Sequence, residues 1–73
     1  MTEEYEYVVT VAGAETFANL MSKQGVNVES VGGGLVKFSS ERLIDMKGLK
    51  AKGIIRAYKI ARVKRVEELV EEG

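Results

Sequence analysis

Seventy-three residues without a cysteine or a histidine make one small domain, near the lower size limit for independent folding, with no disulfide or His/Cys zinc site to brace it. Apolar residues form 45% of the chain and charged residues 30%, a globular composition rather than a disordered one. Eleven bases offset eleven acids, so the total charge selects no polyanion. Oligomerisation is the stabilising device left, and a homodimer is as compatible with these totals as a monomer.

The opening "MTEEYEYVV" is acidic where a secretory signal is basic, and no apolar run follows it. No stretch approaches the length of a membrane span. The expected location is therefore cytoplasmic, with no membrane partner. Charge is segregated along the chain: residues 1–36 hold five acids and one base (−4), and residues 37–73 hold ten bases and six acids (+4).

"YEYVVTV" alternates, placing Tyr5, Tyr7, Val9 and Val11 on one face, and reads as a strand. In "AGAETFANLMSKQG", Phe17, Leu20, Met21 and Gln24 recur at helical spacing, and Gly25 is placed to take the left-handed conformation after the helix. "VNVESV" and "LVKF" alternate on either side of "GGG" at 32–34, which predicts a hairpin. "SSERLIDMKGLKAKG" predicts a second helix, capped by Ser39 or Ser40, with Leu43, Ile44 and Met46 inward and an end by Gly53.

"IIRAYKIARVKR" is ambiguous. As a strand it sends Arg56, Tyr58, Ile60 and Arg62 one way and Ile55, Ala57, Lys59 and Ala61 the other; as a helix it strands Ile60. Gly53 and the β-branched pair favour a strand over 54–62. A helical tail from about Val66 is then expected, with Leu69 and Val70 inward. The expected fold is α+β, a ferredoxin-like βαββαβ domain with four antiparallel strands, both helices on one face, and that helical tail.

Catalysis has few candidates. Serine nucleophiles lack a histidine base, and the acids fall in first turns and in the tail, where capping and solvation account for them. "VGGGL" lacks phosphate-loop spacing and precedes a strand, and the acidic runs lack calcium-loop spacing. No enzyme activity, cofactor or metal is expected.

The remaining signal is "LKAKGIIRAYKIARVKR", residues 49–65, with seven bases and no acid. Lys47, Lys50, Lys52, Arg56, Tyr58, Lys59, Arg62, Lys64 and Arg65 are the candidate partner-binding residues. If Arg56, Tyr58, Ile60 and Arg62 share a strand face turned away from the helices, they form a docking surface for an acidic protein. The alternative is a nucleic acid, with the bases on phosphates and Tyr5, Tyr7 and Tyr58 stacking on bases.

From "GGLVKFSSERLIDMKGLKAKGIIRAYKIARV" the chain resembles the second half of subtilisin-type propeptides and their stand-alone inhibitor relatives. Gly34, Phe38, Ser40, Glu41, Leu43, Gly53, Ile54 and Ile55 stand at the matching positions, and the likeness spans about residues 5–62. The resemblance implies that the open sheet face docks on a protease and that the C-terminus lies in the substrate cleft. The matching tail here, "VKRVEELVEEG", is acidic.

Overall fold

The structure, a computed structural model, describes residues 3–63 and 66–73. Strand β1 (Glu4–Val11) keeps the alternation of its sequence: Tyr5, Tyr7, Val9 and Val11 are buried, and Glu6, Val8 and Thr10 between them are half-buried. Helix α1 (Ala14–Ser22) follows and buries Phe17 and Met21, while Gln24 stays exposed beyond its end. Gly25 has the positive φ (76°) expected after that helix.

Strands β2 (Glu29–Gly32) and β3 (Leu35–Ser40) form the predicted hairpin. Its two connecting residues, Gly33 and Gly34, both have positive φ (64° and 77°). A two-residue turn that follows strand twist requires this, and glycine adopts it without a Cβ clash.

Helix α2 (Met46–Ala51) begins later than its sequence suggests. Its cap is Asp45, whose Oδ1 accepts a hydrogen bond from the Gly48 N–H at 3.1 Å, and Ser39 and Ser40 belong to β3. The cause lies in β1. The buried Tyr7 hydroxyl donates to the Arg42 carbonyl at 2.8 Å and accepts from the Ile44 N–H at 2.9 Å. Both groups are thereby engaged outside a helical ladder, and Leu43 points to solvent at 58% exposure.

Strand β4 (Ile55–Val63) pairs antiparallel with β1, and β1 pairs antiparallel with β3. The strand reading of 54–62 holds, but its facing differs from a docking strand. Tyr7 opposes Ile60 and Val9 opposes Tyr58, so Tyr58, Ile60 and Arg62 lie on the helix-covered side. Tyr58 and Ile60 are core residues at 4% and 2% exposure.

The tail overturns the expected fold. Residues Glu68–Glu72 are a strand, β5, not a helix, and they pair antiparallel with β4. The sheet therefore has five strands in the order β2-β3-β1-β4-β5, not the four of a ferredoxin-like βαββαβ domain with a helical tail. Leu69 is exposed and only Val70 packs on the core. An unpaired β4 edge would present a row of free N–H and C=O groups, and the tail satisfies them.

Both helices contribute to one core. Phe17, Met21 and Met46 pack with Tyr7, Val9, Val36, Phe38, Tyr58 and Ile60. The Tyr7 and Phe38 rings stack at 4.5 Å, and Phe17 meets Phe38 at 5.8 Å. No described helix is long and apolar enough to cross a membrane.

Candidate functional site

Because α1 and α2 bury the odd-numbered residues of β1, the even-numbered side chains define a second, uncovered face. Pairing registers extend that face across the sheet. Val8 lies between Lys37 and Lys59, Thr10 between Leu35 and Ala57, and Glu6 between Ser39 and Ala61, with Leu69 opposite Ala61 on β5. Leu35, Val63 and Leu69 are 37%, 39% and 53% exposed. Toward one end the face sinks into a shallow depression of about 350 Å³ lined by Val8, Thr10, Leu35, Ala57, Lys59 and Glu72.

Charge on this face is largely matched within the molecule. Lys37 Nζ lies 3.9 Å from a Glu6 carboxylate oxygen, and Lys37 also stands opposite Glu29. Lys59 stands opposite Glu72. The face thus interleaves apolar side chains with charged pairs of opposite sign, and is suited to a surface that removes water from it more than to a strongly charged ligand.

The basic residues singled out from the sequence do not share one surface. Lys47, Lys50 and Lys52 are exposed on or just after α2, on the helix layer. Lys47 and Lys50 border a depression of about 470 Å³ that Tyr58, Glu72 and Gly73 close from the sheet side. Lys59 opens instead onto the uncovered face. Arg56 is exposed at the irregularity where β4 shifts register against β1. Lys64 and Arg65 lie outside the described residues.

Arg62 is tied into the fold. Its Nε lies 3.3 Å from a Glu3 carboxylate oxygen, its Nη1 3.5 Å from Glu68, and its guanidinium 5.9 Å from the Tyr5 ring centre. Tyr58 is likewise internal: its hydroxyl donates to the Glu71 carboxylate. That bond, with burial and the neighbouring negative charge adding to it, pushes the Tyr58 hydroxyl up to about 12. Tyr5 and Tyr7 are buried on the helix side, so none of the three tyrosines stands on the uncovered face as a stacking platform.

Sequence reasoning missed Val8, Leu35, Val63 and Leu69 as a group. Their strands are distant in sequence and meet only through pairing. The alternation of "YEYVVTV" already marked Val8 as facing away from the tyrosines, which was the one available signal. Among the described residues, no cluster of three or more histidine, cysteine or acidic side chains is placed to hold a metal. Comparison with family models, with curated proteins and with solved structures finds no match.

Proposed function

We propose that this chain is a small non-enzymatic binding module whose uncovered sheet face recognises a protein partner. The observation that carries this reading is the position of Val8, Leu35, Ala57, Val63 and Leu69 on one side of a sheet whose other side holds both helices. A partner of fitting chemistry offers a flat apolar patch, since the charges on this face already have opposite-sign neighbours. A subtilisin-type protease is the most specific partner, from the resemblance of residues 5–62 to propeptides. In that version the face docks on the enzyme, and β5 leaves β4 if the tail is to enter the substrate cleft.

The test is inhibition of subtilisin acting on a chromogenic peptide, with wild-type chain and with Leu35→Lys/Leu69→Lys. Inhibition that disappears in the variant supports the face. Inhibition that survives both lysines places the contact elsewhere, and absence of inhibition by the wild-type chain removes this protease as the partner.

A nucleic-acid reading rests on Lys47, Lys50, Lys52 and Arg56. All four are exposed and, among the described residues, none lies within ion-pair distance of an acid. Oligonucleotide binding that falls steeply between low and moderate salt would favour it, because each neutralised phosphate releases counterions.

A further inference from the structure

Strand β5 reads like a ligand for the edge of β4. The Tyr58 N–H donates to the Gly73 carbonyl at 2.7 Å, and the Gly73 N–H returns a bond to the Tyr58 carbonyl at 2.9 Å. Four side-chain matches accompany this ladder. Glu68 meets Arg62, Glu71 takes the Tyr58 hydroxyl, and Glu72 stands opposite Lys59. The fourth is steric: a Cβ at position 73 would lie 2.6 Å from Tyr58 Cε1, so the edge accepts only glycine there without displacement of the ring. Acid at three positions and glycine at the fourth make a recognition pattern, written E-x-x-E-E-G in the sequence of β5 itself.

Little else holds β5 to its own chain. Its side chains are exposed or half-exposed, Leu69 at 53%, and Val70 alone packs on the core. Its attachment consists of edge bonds, the Arg62–Glu68 ion pair, the Tyr58–Glu71 hydrogen bond and the packing of Val70. Strand β4 ends at Val63 and β5 begins at Glu68, and the two pair antiparallel.

We propose that the β4 edge also receives β5 from a second copy of this chain, so that two copies associate by reciprocal strand exchange. The second copy is the occupant favoured here because β5 is the one segment whose fit to this edge is seen, and every copy carries it. Exchange reproduces each cross-strand match, so the balance between the two states is set mainly by protein concentration. The strand edge, not the uncovered face, makes this contact. The inference does not rest on a partner docking on that face, although Leu69 and Glu72 of β5 stand on it.

The absence of cysteine allows a direct test. Lys59 and Glu72 are cross-strand partners flanking the hydrogen-bonded Tyr58–Gly73 pair. Their Cα atoms should lie about 4.5 Å apart, within disulfide reach. Full-length Lys59→Cys and Glu72→Cys chains are mixed at high concentration and mildly oxidised, and the mixed disulfide is read by mass. Lys59→Cys mixed with Ser30→Cys, whose thiol sits on the opposite edge strand, reports random collision.

The expected result is a several-fold excess of the 59–72 mixed disulfide over that control, rising with protein concentration. An equal yield in the two mixtures, while the double variant Lys59→Cys/Glu72→Cys closes internally, overturns the exchange. Failure of the double variant to close overturns the pairing on which the exchange rests.

Discussion

Strands β1 and β5 sit in the same sheet and are held there by different forces. β1 is central, bonded on both sides, and its Tyr5, Tyr7, Val9 and Val11 are buried against two helices. β5 is an edge strand bonded on one side, with mostly solvent-facing residues and acids opposite the bases of β4. Hydrophobic burial is non-directional and scales with area, so β1 is fixed by what it covers. Edge pairing is directional and electrostatic, so β5 is fixed by what its neighbour presents. Damage near β1 should therefore be global, and damage in β5 local.

The largest effect is expected where the ring stack beside β1 is removed. Phe38→Ala takes away the partner of both Tyr7 and Phe17 and should cost about 3–5 kcal/mol, read as a lower urea midpoint. A loss below 1 kcal/mol would show that the core is not organised around this stack. Tyr7→Phe keeps the ring and removes the hydroxyl that serves Arg42 and Ile44. It should cost about 1–3 kcal/mol by leaving those two backbone groups without their partner, and it should loosen the approach to α2 in hydrogen exchange.

Changes in β5 should be smaller and confined. Glu72→Lys puts like charges opposite one another at Lys59 and should cost about 0.2–1 kcal/mol. Faster exchange should appear at the Tyr58 and Gly73 amides, with the Tyr7 and Val9 amides unchanged. Equal acceleration in β1 would erase the contrast between the two strands.

The mildest lever is pH. The Tyr58 hydroxyl ionises near 10.0 in an ordinary setting and is pushed up to about 12 here, first by its bond to the Glu71 carboxylate. A raised value means the folded state favours the protonated phenol. The resulting stabilisation is whole below pH 10 and fades as pH climbs from 10 toward 12. In spectrophotometric titration, Glu71→Gln should move tyrosinate formation to lower pH; an unchanged curve would exclude Glu71 as the cause.

How much was legible follows the same division. The alternation in "YEYVVTV" and the helical spacing of Phe17 and Met21 identified the core side of β1 and α1, because each pattern lies within one element. The glycines at 33 and 34 announced the hairpin by backbone chemistry alone. The start of α2 was misread at Ser39 and Ser40, good caps by type, because the competing hydroxyl comes from Tyr7, more than thirty positions away. Most of the uncovered face escaped notice for the same reason: Val8, Leu35, Val63 and Leu69 become neighbours only through strand pairing.

The basic run of residues 49–65 and the acidic tail are the clearest case of a property divided between two levels. Their opposite charges are written in the sequence, and so is the absence of cysteine and histidine that leaves so small a core without a disulfide or His/Cys zinc site. Taken alone, the glutamate-rich "VEELVEE" is helix-prone, and nothing local to it indicates a strand. Only the assembled sheet supplies β4 with an open edge, and the hydrogen bonds of that edge, with Lys59, Tyr58 and Arg62 placed along it, outweigh the small per-residue helix preference of the tail.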